Sequence, residues 1–356
     1  MNEPKASIKL IAEIRKITDN QTSFAKAKEA LLATQNDLVA ALEWLEKDNI
    51  TSGAKKAAKV AGRVANDGLI GIAVLSDGSA NAKGKGSSGV RAAMIEVNCE
   101  TDFVARNDIF AKLVADIAHT AAYLAEAPSS STEIVKPGLI QPFPVDVLSA
   151  APLIAAPSSS NPTPLDPSRT ISSVIQEATA KIGEKISLRR ACSFVGPALP
   201  PSSTIALRIG TYIHQSSATQ PQTGKIGSLV ALALKSGQLS KFIADGGDKE
   251  TSPIGRALAR QVVGLNAEKI GKSSGTDGDP SSTELYAQPF MMRPGGGTEA
   301  SVRAALDGWA QEKGLVSSAD VDGGIEVLEF VKWSAGEGID KVESAGFAEE
   351  VRRLTS

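Results

Sequence analysis

Histidines, cysteines and glycine-rich loops build most catalytic and cofactor sites, and this chain offers few of them. Its histidines are His119 and His214, and its cysteines are Cys99 and Cys192. His119 falls in an amphipathic helical pattern and His214 at a strand end, and neither has a nucleophile partner by spacing. The four residues lack zinc-ligand spacing, and two cysteines make no disulfide framework, which suggests a reducing compartment. Gly84-Lys85-Gly86-Ser87-Ser88-Gly89 spells a dinucleotide fingerprint. That fingerprint needs a following helix whose N-terminus holds the pyrophosphate, whereas Val90–Val97 reads as a strand, so the segment is expected to be a flexible hairpin loop. Gly271-Lys272-Ser273 resembles the end of a phosphate-binding loop, but Asn266 stands where the loop needs glycine. Gly271–Gly275 also spells a nucleophile elbow, yet it runs into turn-rich Thr276–Pro280 instead of a helix. Carboxylate pairs are plentiful and unspecific. No catalytic, cofactor or metal site is read from these residues, and an enzyme is the weaker hypothesis.

The informative chemistry is non-covalent. Val97-Asn98-Cys99-Glu100-Thr101-Asp102-Phe103-Val104-Ala105-Arg106-Asn107 places an aromatic ring and a carboxylate on a short connection between a strand and a helix. Binding residues concentrate on such connections because a rigid scaffold holds them at the surface. The competing reading has Phe103 packed beneath the following helix, as most aromatics are.

The elements around this corner follow from periodicity. Ile8, Ile11, Ile14 and Ile17 recur at helical spacing. Phe24, Ala27 and Leu31 predict a second helix capped by Ser23. Asn36-Asp37 can cap a third, with Leu38, Ala41, Leu42 and Leu45 along one stripe. Residues 1–54 thus read as a three-helix module. Lys55, Lys56, Lys59 and Arg63 follow with no acid among them and read as a solvated linker or helix face. Gly68–Leu75 and Val90–Cys99 predict a hairpin with a long loop, Ala93, Ile95, Val97 and Cys99 sharing one face. A helix starts near Asn107-Asp108 and carries Phe110, Leu113, Val114, Ile117 and Ala121.

Residues 128–168 hold half of the 18 prolines and are expected to form a mobile insertion or extended loop. Val174–Ile182 then reads as a helix, and Ile186–Val195 as a strand. Thr204–His214 and Lys225–Lys235 read as a second hairpin, with a helical start at Gln238–Ala244 and only short helical signals between Leu234 and Gly264. A helix at Glu299–Lys313, a strand at Ile325–Val331 and a closing helix at Asp340–Leu354 complete the pattern. Hairpin followed by helix therefore occurs twice. The expected fold is α+β: the helical module, then two related subdomains, 55–195 and 196–356, with antiparallel sheets packed by helices.

Composition bounds the partners. Of 356 residues, 42% are hydrophobic and 22% charged, as in ordinary globular domains. A net charge of −2 gives no global pull toward nucleic acid, and 4% aromatics are too few for base-stacking platforms. No apolar run approaches a membrane span, and the first residues show no secretory leader.

Several of these segments, in order, resemble the elongation factor Ts family. Lys28-Glu29-Ala30-Leu31 and Asn36-Asp37 are similar to its ubiquitin-associated-like N-terminal domain. Lys55–Ala65 with Asp67-Gly68 resembles its first signature, and Asn98–Ala105 its second, which is highly specific. Lys181–Ile186 with Arg189-Arg190, Tyr212-Ile213-His214, Gln288–Met292 and Gly336–Glu343 follow in family order.

The resemblance implies guanine-nucleotide exchange on elongation factor Tu, nucleotide-free or GDP-bound, without nucleic acid, membrane, cofactor or metal. By that resemblance Phe103 is a wedge beside the partner's magnesium and phosphate site, shaped by Thr101, Asp102 and Val104. Ile182, Gly183 and His214 would support the interface, Lys28 would touch the GTPase domain, and Met291 and Met292 would contact it as well. The added loops at 128–168 and Ser216–Thr223 fit a fungal mitochondrial matrix protein better than a bacterial cytoplasmic one. The helical projection of bacterial members is expected to be reduced here. Two alternatives stay open: a ubiquitin-binding adaptor working through the N-terminal module, and an RNA-associated factor using Lys55–Arg63.

Overall fold

Three amphipathic helices, α1 (Ile8–Ile17), α2 (Phe24–Ala33) and α3 (Leu38–Val60), open the chain. The computed structural model describes residues 5–18, 22–79, 88–127, 138–157, 166–217, 219–272, 277–295, 300–317 and 323–339. Ser23 and Asp37 cap α2 and α3, accepting from the backbone N–H of Lys26 and Ala40. Between them Asn36 takes a left-handed φ of 64°, which asparagine tolerates. Its side chain accepts from Ser7 N at 2.9 Å and donates to Lys5 O at 3.2 Å, closing the three-helix layout. Ile11, Ile14, Ala27, Ala30, Leu31, Ala41 and Leu45 form the buried centre. The basic run is an exposed face of α3 as far as Val60.

Next come β1 (Asp67–Asp77), β2 (Val90–Cys99), α4 (Asp102–Ala105), α5 (Asp108–Leu124), β3 (Ile140–Pro142), α6 (Val145–Ala150) and α7 (Ile171–Ile182). The chain continues through β4 (Ser187–Gly196), β5 (Ile205–His214), β6 (Thr223–Gly224), β7 (Ile226–Lys235) and α8 (Leu239–Ala244). It ends with α9 (Thr251–Gly264), α10 (Val302–Glu312) and β8 (Gly324–Ser334). These elements form two compact units. Residues 1–63 and 172–186 make a helical one, in which Lys185 Nζ donates to Arg63 O at 2.8 Å. Residues 64–171 and 187–356 make the other.

The second unit is a sandwich of two antiparallel sheets, ordered β3-β4-β2-β1-β6 and β5-β7-β8. Alternate residues of β1, β2 and β4 (Ile70, Ile72, Met94, Phe194) meet those of β5 and β7 (Leu207, Ile209, Leu229, Ala231) in one buried layer. On the outer face of the second sheet, Val230, Leu232 and Leu234 pack with Phe242, Leu258 and Trp309 of α8, α9 and α10. Helix α5 lies on β1 and β2. Each hairpin-and-helix repeat carries a glycine where its helix crosses. A Cβ on Gly71 would sit 2.8 Å from Val114 Cγ1, and one on Gly210 would run into the carbonyl oxygen of Gly255.

Two expectations need correction. Within 128–168, residues 138–157 are built into the sandwich. The N–H groups of Leu139 and Ile140 donate to Glu329 Oε2 at 2.7 and 3.1 Å, and Leu148 is fully buried. Proline is compatible with that order, because Pro142 ends an edge strand and Pro144 precedes the first turn of α6. Likewise the region before Gly264 holds the 14-residue helix α9. Pro253 and Gly255 weaken its sequence signal, yet both fall in its first turns, where proline needs no intrahelical partner. The expected helix at 340–354, the glycine motif at 84–87 and residues 273–275 lie outside the described residues.

Gly210→Ala is expected to lower stability by about 1–3 kcal/mol through overpacking against α9. Gly237→Ala, where a Cβ meets nothing within 4 Å, serves as the neutral comparison in urea denaturation.

Candidate partner-binding site

Strand β2 delivers the chain to the corner in a fixed state. Cys99 is buried, and its Sγ donates to Thr101 O at 3.2 Å. Thr101 caps the single turn α4, accepting from Val104 N at 3.4 Å, and Asn107 caps α5, accepting from Ile109 N at 2.8 Å. Two caps within seven positions each satisfy one of the free N–H groups at a helix start. Successive residues of a helical turn point about 100° apart. Val104 (8% exposed) and Ala105 (3%) face inward, so Phe103 is turned outward and is 82% exposed. The place beneath α5 is filled instead by Phe110, which is fully buried.

Asp102 pairs with Arg106, Oδ2 to Nη2 at 2.9 Å, on the solvent side. The i,i+4 spacing could have revealed this pair from sequence. Nearby, Thr219 of the Ser216–Thr223 loop donates to Asp108 Oδ1 at 2.6 Å, tying that loop to the start of α5.

Six residues before Asp102 lies the fully buried carboxylate of Glu96. It accepts from Asn98 Nδ2 (3.0 Å), Arg189 Nη1 (3.0 Å), Arg190 Nε (2.5 Å) and Gly336 N (2.8 Å). Burial alone pushes this carboxyl up. The Gly336 N–H, the Asn98 amide and the two guanidinium groups outweigh burial and hold it below the usual carboxylate range. Sequence reasoning did not single out Glu96.

The other expected site residues divide between the units. His214 is exposed, its Nδ1 3.3 Å from Tyr212 Oη, and its carbonyl accepts from Lys225 N at 3.0 Å. The Lys225 amine pairs with Asp67, which lies opposite Cys99 on the β1–β2 ladder. His214 therefore sits at the same end of the sheets as the corner. Met291 is 61% exposed, whereas Met292 is half-buried, its N–H 3.4 Å from Gln261 Oε1 on α9. Lys28, Ile182 and Gly183 belong to the helical unit. Lys28 is exposed and Ile182 half-buried. Gly183 ends α7 with φ 87°, its N–H bonded to Thr179 O at 2.8 Å.

The remaining reactive groups are committed to the fold. His119 Nδ1 lies 3.1 Å from Ile154 O, and burial pushes the Cys192 thiol up to about 12. Among the described residues no group of three or more His, Cys, Asp or Glu could hold a metal, and no helix is long and apolar enough to cross a membrane. What the corner offers is a ring and a carboxylate presented to solvent.

Phe103→Ala is expected to leave urea stability within about 0.5 kcal/mol of the parent, whereas Val104→Ala costs roughly 2 kcal/mol. Because the Glu96 carboxyl is depressed in the folded state, its contribution is complete above the ordinary glutamate range near pH 4.3 and is lost as pH falls through its folded value. Urea midpoints of Glu96→Gln should accordingly lie below the parent's at pH 7 and converge toward it in acid.

The chain is similar to known proteins over nearly its whole length. The family model described as Elongation factor TS matches residues 100–273, starting at the corner itself. "Elongation factor Ts, mitochondrial" of Laccaria bicolor is 45% identical over 338 residues, covering 95% of this chain and 93% of that protein. The protein of the same name from Coprinopsis cinerea is 45% identical, covering 94% and 93%, and that from Mycosarcoma maydis is 37% identical, covering 98% and 89%. Identity of this extent across both units shows that the chain belongs to the elongation factor Ts family of protein biosynthesis, among its fungal mitochondrial members.

Proposed function

We propose that the chain is a guanine-nucleotide exchange factor for mitochondrial elongation factor Tu, and that Phe103 is the wedge that promotes GDP release. The observation that carries this reading is the 82% exposure of Phe103 on a turn whose next two residues are buried. Asp102 and Thr101 shape the same turn, and Val104 anchors it. His214, at that end of the sheets, and the exposed Met291 extend the partner surface on the sandwich. On the helical unit, Lys28, Ile182 and Gly183 are assigned to contacts with the same partner.

The mechanism needs no covalent step. An exchange factor speeds release only by binding the nucleotide-free partner more tightly than the nucleotide-bound one. A thousandfold acceleration corresponds to roughly 4 kcal/mol at the releasing transition state. Burying one aromatic ring in a partner pocket supplies about 2–4 kcal/mol, the range of interface hot spots. The Asp102 carboxylate adds charge next to the ring. Its pairing with Arg106 is exposed and worth only about 0.3–0.5 kcal/mol, so a partner's magnesium or phosphate shell can displace it at little cost.

The test is release of labelled GDP from elongation factor Tu. The parent chain should accelerate it, and Phe103→Ala should slow release by well over tenfold at unchanged stability. Size-exclusion should show a complex with nucleotide-free elongation factor Tu that GDP and magnesium dissolve. Equal rates for parent and variant would remove the wedge.

A further inference from the structure

Consecutive residues of a regular strand point to opposite faces, yet Arg189 and Arg190 of β4 both reach one carboxylate. The ladder explains how. Glu96 pairs with Arg190 and Val97 with Leu188, so Arg189 is the extra residue of a β-bulge. Bulges re-aim side chains next to functional sites. Here the bulge turns two guanidinium groups onto Glu96, two strand positions before Asn98.

From that carboxylate the network runs both ways. Asn98 Nδ2 bridges Glu96 Oε1 (3.0 Å) and Asp67 O (2.9 Å), which fixes the end of β2 against the start of β1. Cys99 and Thr101 continue directly into the corner. In the other direction Gly336 N donates to Glu96 at 2.8 Å, and Arg189 Nη2 donates to Glu337 O at 2.6 Å. Arg190 lies over the Trp333 ring, its Cζ 4.5 Å from the centroid, and donates to Ser334 O at 3.3 Å. Lys225 closes the ring of contacts, pairing with Asp67 while its carbonyl accepts from Ala335 N at 2.9 Å.

We propose that Glu96 is a positioning residue for nucleotide exchange: its clasp of Arg189, Arg190, Asn98 and the Gly336-Glu337 turn holds the end of β2 so that Phe103 is presented in one orientation. This rests on the exchange reading above. A buried ion pair gains little over apolar packing of the same volume, so stability does not explain its presence, whereas fixing a unique geometry does. The turn after β8, far away in sequence, thereby becomes part of the wedge's support.

Two measurements on the full chain test the clasp. In labelled-GDP release from elongation factor Tu, Glu96→Gln should lower the maximal rate about tenfold while moving the half-saturating concentration less than about twofold. A merely structural loss reduces the folded fraction and does the reverse. Placed in Phe103→Ala, Glu96→Gln should change release by less than about twofold, because both act through one ring. An undiminished maximal rate, or an equal fold-loss in both backgrounds, overturns the proposal. If Glu96→Gln does not fold, Arg189→Gln carries the same two tests. Amide hydrogen exchange decides independently of the partner. The clasp variant should exchange faster at residues 101–105 but not along β5 and β7, and unchanged protection at 101–105 would refute positioning even if the parent chain accelerated no release.

Discussion

A phenyl ring left in water contributes nothing to the folding of the chain that carries it. Its transfer free energy, about 2–3 kcal/mol, stays available to whatever covers it. The chain must nevertheless keep the ring in place, and a surface aromatic on a loose loop would collapse onto the nearest apolar neighbour. The corner prevents this by burying Val104 and Ala105 and capping both flanking helices. A four-residue turn with those two side chains inside has little choice about where Phe103 points.

The sandwich extends that constraint. Strand β2 is paired along its length with β1 on one side and β4 on the other, so its end is among the least mobile parts of a sheet. The glycines under α5 and α9 let both helices lie directly against the sheets, where a Cβ would not fit. The repeat of hairpin and helix is therefore more than a topological echo. It makes two stiff layers whose shared core meets at Ile70, Met94 and Leu229.

Local chemistry was legible in the sequence, and non-local chemistry was not. The limits of β2, the cap Ser23, the capping pair Asn36-Asp37 and the helix start near Asn107-Asp108 could be read because a cap needs only a short polar side chain and its own next turn. The order within 138–157 was hidden because proline counts as a breaker, although an edge strand and a first helical turn accept it. Helix α9 was obscured by Pro253 and Gly255 for the same reason. The Glu96 clasp had no sequence signal. It depends on a bulge that changes the facing of Arg189 and on a turn 240 residues downstream. For Phe103 the residue type and the corner could be read, while the choice between outward display and inward packing required knowing that Phe110 fills the space beneath α5.

Two ionic arrangements near the corner, at Asp102 and at Glu96, differ in the way the proposed exchange requires. Asp102–Arg106 is solvent-exposed on a single helical turn, and such pairs are worth a few tenths of a kcal/mol, so an approaching surface can displace it. The Glu96 carboxylate is enclosed, with the partly exposed Arg189 and Arg190 closing over it, so its pairing is screened less and is harder to displace. The weak pair lies on the turn that carries the ring, and the strong one lies on the strand behind it. If the strengths were reversed, the partner would meet a fixed charge on a movable strand, and part of the ring's contact energy would be lost in ordering the strand. With the order observed, the strand is settled before contact, which in the proposed exchange leaves the contact energy free to discriminate between nucleotide-bound and nucleotide-free forms of the partner.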